Sequence, residues 1–303
     1  MKRRFAVFLL LSLLPFSLLP DTSAQTVLPE GRDLNALLER MEQHSKVNGK
    51  LAEQYTSVMF WHNRNFDKSG KTTVDESAKY ENVFVEGHPY SRKVEKNGKP
   101  LTGKDADWEQ KRYDKAVEER KKMSLEEKRH SLHVTFHFSL PISYLTTLFD
   151  NRALRRETID GRETLVVEST PRADAKPQDK QAKTALDWKQ TTWIDLQDEM
   201  PVRFIAEKLN DENHGLKGTT IQFDYLRLVD KTAEGSTPEQ PVWLEKEFKS
   251  KFRMKMFFIN ADGITEQSWS DFKKFHVDMR LLLDSVEEVE EEVKPAADQP
   301  RKP

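Results

Sequence analysis

The sequence predicts an α+β fold in which one curved antiparallel β-sheet carries helices on its concave face. The first observation is the stretch Val242–Phe258, where apolar and charged residues alternate almost without interruption. Alternation of period two is typical of a strand with one face buried and one face in water. The second is the recurrence of hairpin signals, such as Asn97-Gly98 and Asp160-Gly161, between other strand-like segments.

The stretch Val242–Phe258 is much longer than an ordinary strand of about 3–10 residues. We therefore expect it to twist, bend or break at a β-bulge. Its even-numbered positions form the apolar face. Its odd-numbered positions are mostly charged, so Trp243 and Phe257 are predicted to be exposed aromatics on the outer face, where they indicate a partner or membrane surface only weakly.

The first 24 residues have the pattern of a cleavable secretory signal. A basic start, Lys2–Arg4, precedes the apolar run Phe5–Leu19, and small residues lead to a predicted cleavage after Ala24. Pro15 and Pro20 interrupt the apolar run, which disfavours a retained membrane anchor. We expect an exported, periplasmic protein whose single domain spans residues 25–285 and whose acidic, proline-rich tail, residues 286–303, is disordered.

The composition excludes several classes of function. The formal net charge is −2, and such balance disfavours nucleic acid as a partner. The chain has no cysteine, so neither disulfides nor thiol chemistry are available to an exported protein of this sequence. We find no phosphate-binding glycine loop and no nucleophile elbow. We predict no catalytic residue, no metal and no cofactor.

The amino-terminal part of the domain is predicted to be a helix followed by antiparallel strands. Leucine and methionine recur at helical spacing over Asp33–Ala52. Strands are predicted over Tyr55–Phe66 and Lys71–Val85, and a third runs from Pro89 to the turn at Asn97-Gly98.

Residues 101–149 are predicted to form a helical insert, charged at first and then apolar, with a helix beginning near Pro141. Its charge is typical of a solvated face, although it could also bind an envelope protein. A polar segment, residues 171–184, is predicted to be a mobile loop. The remaining predicted strands are Leu154–Thr170 (a hairpin), Trp188–Ile194, Pro201–Lys208, Thr219–Leu228, Thr265–Phe272 after a turn at Asp262-Gly263, and Phe275–Leu283.

Three histidines, His130, His133 and His137, have a spacing that would place them on one face of a helix, where zinc or copper could bind. The neighbouring Val, Thr and Phe residues favour a strand instead, which would separate His130 from the other two. Asp195 and Asp198 flank a predicted hairpin turn, where acidic residues more often serve turn geometry than catalysis.

The candidate binding site is an apolar cavity on the concave face of the sheet. Mixed methionine and aromatic walls adapt to flexible chains. The alternative is that the same side chains meet a helix and fill an ordinary core, which burial alone would favour by about 1.5–3 kcal/mol for each large side chain. The candidate lining residues are Phe204, Phe223, Tyr225, Phe248, Phe252, Met254 and Met256.

The order of elements resembles the outer-membrane lipoprotein-sorting proteins, the periplasmic lipoprotein-carrier (LolA-like) family. The residues that carry the resemblance are Thr192–Asp195, Pro201–Arg203 and Ser270–Phe275, and it extends over Trp188–Val277 and, less closely, Asp33–Gly98. It implies a half-barrel of antiparallel strands that holds acyl chains. No family ligand contact aligns with a single position here, so no functional residue is carried over.

These observations predict a non-enzymatic periplasmic carrier or binding protein for lipid or lipoprotein acyl chains. Two alternatives remain. One is an envelope scaffold with a filled core that acts through its charged helices. The other is a metal-dependent hydrolase that uses His130, His133 and His137.

Overall fold

The structure is a computed structural model that describes residues 27–124, 142–211, 215–229, 241–256 and 259–274. The helices in these ranges are α1 (Gly31–Ala52), α2 (Gly103–Lys122), α3 (Ile142–Leu148) and α4 (Lys180–Ala185). The strands are β1 (Tyr55–Phe66), β2 (Thr72–Val85), β3 (His88–Lys96), β4 (Lys99–Pro100), β5 (Phe149–Ile159), β6 (Arg162–Pro171), β7 (Trp188–Asp195), β8 (Met200–Lys208), β9 (Thr220–Leu228), β10 (Val242–Met256) and β11 (Ile259–Lys274).

All of these strands belong to one open antiparallel sheet of 11 strands, in the order β4-β3-β2-β1-β11-β10-β9-β8-β7-β6-β5. Strands β5 to β11 pair in chain order, and β11 then pairs with β1, which joins the two ends of the described chain. Strands β3 and β8 border the same cavity although five strands separate them in the sheet, which requires strong curvature. The predicted fold class is confirmed.

The tight turns of the predicted hairpins have the backbone geometry that their sequences favour. Asn97 and Gly98 have φ values of 51° and 71°, and Asp160 and Gly161 have φ values of 50° and 77°. Two successive residues with positive φ make the type I′ turn, which matches the twist of the strands that it joins.

The predicted turn at Asp262-Gly263 is wrong. Both residues lie inside β11, which begins at Ile259, and Gly263 pairs with Phe252 of β10. A Cβ atom at position 263 would lie 2.0 Å from the Cζ atom of Phe252, so the aromatic ring covers the bare backbone of the glycine. The glycine is therefore required by a close approach within the sheet rather than by a turn.

Part of the predicted mobile loop 171–184 is helical: helix α4 begins within it, at Lys180. The side chain of Asp179 caps this helix by accepting a hydrogen bond of 2.7 Å from the backbone N–H of Ala182. Ala182 and Ala185 are buried in the main core, which anchors the helix.

The main core lies between the amino-terminal half of α1 and the strands β5 to β7. Four residues of α1 recur at spacings of three and four and are buried there: Leu34, Leu37, Leu38 and Met41. Their partners come from α3, α4 and the concave face of the sheet: Leu145, Leu148, Phe149, Leu165, Val167, Ala182, Ala185 and Ile194. This side of the half-barrel is filled by packed side chains.

Helix α1 lies on the concave face as predicted, whereas the charged helix α2 runs beside the free edge of β3. Glu109 of α2, only 3% exposed, accepts hydrogen bonds from the Tyr90 hydroxyl (3.0 Å) and the Lys93 backbone N–H (3.3 Å). Arg112 donates a hydrogen bond to the backbone carbonyl of Ser91 in β3 (2.5 Å), and Arg120 donates one to that of Pro89 (2.6 Å). The helix thus satisfies edge groups that could otherwise pair with another strand.

Several predictions fall on residues outside the described ranges. These are the signal peptide and its cleavage after Ala24, the exposure of Phe257, the histidines 130, 133 and 137, the strand 275–283 and the tail 286–303. None of the described helices is both long enough and apolar enough to cross a membrane.

Candidate functional site: a cavity beneath the end of the first helix

A cavity of about 640 Å³ lies between the carboxyl-terminal half of α1 and the concave face of the sheet. Strands β1, β2, β3, β8, β9, β10 and β11 all contribute to its walls. Large apolar residues dominate the lining: Met59, Phe84, Met200, Phe223, Tyr225, Trp243, Leu244, Phe248, Trp269 and Phe272.

The sequence of α1 explains why one half of the concave face is filled and the other is hollow. The inward positions of its first half carry leucine and methionine, which pack against β5 to β7. In its second half, the residues that face the cavity are Ser45, Asn48, Gly49 and Ala52. These residues are small. Asn48 reaches the backbone of Trp243 and Ser45 lies 3.9 Å from the sulfur of Met200, but together they leave space beneath this half of α1 unfilled. The change from large to small residues along one helix face was a signal that our sequence analysis missed.

Three of the seven predicted lining residues border this cavity: Phe223, Tyr225 and Phe248. The ring centroids of Phe223 and Phe248 are 4.8 Å apart across the β9–β10 pair, and Tyr225 stacks beside Phe223. Phe204 pairs with Phe223 in the sheet but is not among the residues that border the cavity, and Phe252 packs on Gly263. The last two, Met254 and Met256, lie in the part of β10 whose side chains the structure does not describe.

A β-bulge in β10 changes which of its residues face the cavity. Glu245 pairs with Tyr225, and Glu247 pairs with the next residue of β9, Asp224, so Lys246 has no partner of its own. Of the twist, bend or bulge predicted for this strand, the structure shows a bulge. The predicted exposure of Trp243 is wrong, because the bulge leaves this residue on the concave face and only 5% exposed.

Other lining residues went unpredicted because they lie in strands that lack a clear apolar face. Residues 55, 57 and 59 alternate into the cavity from β1, and only Met59 among them is aliphatic. In β11 the register shifts beside Asp271, which has a φ of 53°, and both Trp269 and Phe272 reach the cavity. Regular alternation would have placed these two aromatic residues on opposite faces.

The described lining contains two carboxylates, Glu245 on β10 and Glu53 at the end of α1. Partial burial raises the pKa of Glu245 to about 7. Burial also raises the pKa of Glu53, against a smaller opposing effect of the Lys50 charge. Burial, and then the negative charge of Glu245, raise the pKa of the Tyr225 hydroxyl. These groups mark the polar part of an otherwise apolar site.

The turn between β7 and β8 holds α1 over the sheet. Asp195, fully buried, accepts hydrogen bonds from the backbone N–H groups of Gln197 (3.0 Å) and Asp198 (2.7 Å), as expected for an acidic residue that shapes a turn. Arg162 also donates two hydrogen bonds to its carboxylate. On the outside of the turn, Arg40 of α1 forms an ion pair of 2.9 Å with Glu199.

The second carboxylate of this turn, Asp198, joins it to the cavity wall. It accepts hydrogen bonds from Arg227 (2.6 Å) and from the indole N–H of Trp243 (3.1 Å). Burial acts to raise the pKa of Asp198, but these hydrogen bonds and the charge of Arg162 outweigh it and lower the pKa. Both aspartates are thus engaged in structural contacts.

Within the described ranges, His, Cys, Asp and Glu residues form no cluster suited to a metal ion. The predicted histidine cluster lies outside those ranges, so the hypothesis of a metal-dependent hydrolase stays a prediction.

Neither a protein-family model nor a curated protein matches the sequence. Solved structures do match. One is an outer membrane lipoprotein-sorting protein domain from Vibrio parahaemolyticus, with 14% identity, coverage of 82% of this chain and 98% of that chain, and a TM-score of 0.35. A DUF1329 family protein from Desulfovibrio piger has 12% identity, coverage of 83% and 96%, and a TM-score of 0.33.

A third match is a LolA superfamily protein from Nitrosomonas europaea, with 10% identity, coverage of 78% and 96%, and a TM-score of 0.25. The first and the third of these proteins carry the names of the family that the sequence resembles, the lipoprotein-sorting or LolA-like proteins. The fold class itself rests on the strand order and the register described above.

Proposed function

We propose that this protein is a non-enzymatic periplasmic binder or carrier for lipid or lipoprotein acyl chains. The observation that supports the proposal is the cavity of about 640 Å³, whose walls are mainly aromatic and aliphatic. Its volume is in the range of ligand sites, about 300–1,000 Å³. Each methylene group that moves from water into such a site stabilises the complex by about 0.8 kcal/mol.

The covering helix offers a route for entry and release. The carboxyl-terminal half of α1 covers the cavity with small and polar residues, while its amino-terminal half is anchored in the main core. Two hydrogen bonds join Asn48 to the backbone of Trp243 at the cavity wall. Movement of this half of the helix would open the cavity without unfolding the core.

The proposal is tested by titration with a fluorescent acyl chain in ester linkage, together with native mass spectrometry of protein purified from its own envelope. The variant Met59→Trp would fill the cavity from β1. The matched control is Phe60→Trp, because Phe60 is the next residue of the same strand and is 47% exposed. We expect saturable binding, and added lipid mass, in the wild type and in Phe60→Trp, and at least a tenfold loss of affinity in Met59→Trp. Absence of saturable binding in the wild type would overturn the proposal.

A protein partner for α2 is a second candidate, favoured by one observation. Trp108 is 60% exposed on this helix, whose other side is engaged with β3. Large exposed aromatics are enriched where proteins bind one another. Cross-linking in the cell envelope should give a species that Trp108→Ala loses and Glu118→Ala, a change at another exposed position of α2, retains. Equal cross-linking of both variants would contradict this partner site.

A further inference from the structure

The charge of the cavity has one sign throughout its described lining. Glu53 and Glu245 are its two charged residues, and none of the described residues that border it is lysine, arginine or histidine. Neither carboxylate forms a hydrogen bond or ion pair with a described side chain. A ligand that carries its own carboxylate or phosphate would therefore meet like charge, and no cation, among the described residues that border the cavity. Lys50 lies near Glu53 but outside this lining. Arg162 and Arg227, beside Trp243, also lie outside it, and both arginines are paired with aspartates.

Two further features of the cavity wall favour a positive charge. The carboxyl-terminal end of the 22-residue helix α1 lies at the cavity, and that end of a helix carries a partial negative charge. Trp269 lines the same space, and the face of such a ring attracts ammonium groups at distances up to about 6 Å. The ring of Trp243 already has the Arg162 guanidinium 6.0 Å from its centroid.

We propose that the cavity selects amphiphiles whose polar end is a protonated amine, and that Glu245 binds this end while the chain lies among the aromatic residues. The inference rests on the proposed function, because it requires the cavity to take an apolar chain. It is consistent with acyl chains in ester or amide linkage, which have no terminal carboxylate. It excludes free fatty acids as preferred ligands.

The surroundings of Glu245 determine how binding should depend on pH. Its titratable neighbours in the described cavity are Tyr225 on β9, Glu53 on α1, Tyr55 on β1 and Tyr90 on β3, and Lys50 lies near Glu53. Since Glu245 has a pKa of about 7, its carboxylate becomes charged between pH 6 and pH 8. An alkylamine stays protonated over this range, because its pKa is about 10. Amine binding should therefore strengthen as the pH rises.

The test compares three probes with one chain length, dodecylamine, 1-dodecanol and dodecanoate, below their micelle concentrations, by isothermal titration calorimetry with the whole mature protein. At pH 8 we expect the amine to bind at least tenfold more tightly than dodecanoate, with the alcohol between them. We expect this ratio to fall about fivefold at pH 6. The variant Glu245→Gln should reduce the ratio and remove its pH dependence, whereas Glu247→Gln, a change on the opposite face of β10, should leave both unchanged.

The outcomes separate this inference from the proposed function. Binding of the alcohol together with equal or tighter binding of dodecanoate than of the amine would overturn the inference and leave the acyl-chain site intact. An amine preference that persists in Glu245→Gln would overturn the role of this residue. Failure of all three probes to bind would overturn the proposed function and this inference with it. A thermal melt of each variant shows whether a lost preference reflects unfolding.

Discussion

Glu245 and Phe248 border the same cavity although they are three positions apart in one strand. A regular strand would place them on opposite faces. The bulge at Lys246 inserts one residue between them, so both side chains turn towards the concave side. The same bulge sets Trp243 against Met200 and Val202 in a small second core. One irregular residue therefore brings both Glu245 and Trp243 to the cavity.

The contact between Phe252 and Gly263 leads to the first prediction. Gly263→Ala should reduce the free energy of unfolding by about 1–3 kcal/mol, because the new Cβ atom would overlap the ring of Phe252. Chemical denaturation measures this cost. In the background of Phe252→Ala the ring is absent, so the same glycine substitution should cost much less. An equal cost in both backgrounds would show that the ring is not the obstacle.

The hydrogen bonds of Asn48 lead to the second prediction. Its side chain donates to the Trp243 carbonyl (2.8 Å) and accepts from the Trp243 N–H (2.7 Å). Asn48→Ala leaves both backbone groups without these partners and should reduce stability by about 1–3 kcal/mol. Hydrogen exchange should become faster in the carboxyl-terminal half of α1, while the half anchored by Leu34 and Leu38 stays protected. Lys46→Ala, at an exposed position of the same helix, is the control. Hydrogen exchange that became faster to the same degree along the whole of α1 would contradict the prediction.

The third prediction concerns acid stability at Asp198. Its pKa is lower in the folded protein than in the unfolded chain, so the folded state favours the charged form. The resulting stabilisation is present above the ordinary aspartate pKa, about 3.9, and is lost as the pH falls through the lower folded value. Asp198→Asn should therefore destabilise the protein more at pH 6 than at pH 2.5. Urea denaturation at both pH values provides the measurement, and the same loss at each would refute it.

The fourth prediction concerns the edge of β3. Glu109→Ala removes the buried acceptor shared by Tyr90, Lys93 and Arg112. It should cost about 1–3 kcal/mol, because the buried Tyr90 hydroxyl and the Lys93 N–H lose their acceptor, whereas Arg112 is partly in solvent. The variant should also self-associate, since α2 would no longer cover the edge of the strand. Light scattering and thermal melts measure the two effects. Glu118→Ala, which removes a solvent-exposed ion pair, should behave as the wild type does, and equal behaviour of the two variants would argue against edge protection by α2.

Local patterns predicted most of the secondary structure. The strand predicted over Tyr55–Phe66 is confirmed at both ends, and the first helix is confirmed with a start at Gly31 rather than Asp33. The hairpin turns were predictable because Asn-Gly and Asp-Gly tolerate positive φ. Asp262-Gly263 shows the limit of this argument, because glycine also permits close packing against a neighbouring strand.

The candidate site was less predictable than the fold. Phe223, Tyr225 and Phe248 were identified from alternation, but Trp243 and Glu245 were assigned to the wrong face, and Glu53 was not considered. Each bulge shifts the alternation of inward and outward residues by one position. The order of apolar and polar residues in the sequence does not reveal where that shift occurs. The polar insert likewise gave no indication that α2 would satisfy the backbone of an edge strand.

By itself, the sequence determined the fold class of this protein: an antiparallel sheet, and a helix whose leucines pack against an apolar surface. Those features follow from interactions between residues near one another in the chain, namely alternation, helical spacing and turn geometry. Only the tertiary structure decided that half of the concave face is hollow and that its described charge is negative. These properties depend on which side chains from α1 and seven strands meet in the cavity. Such contacts join distant segments of the chain, and strand register, bulges and sheet curvature determine them rather than local sequence.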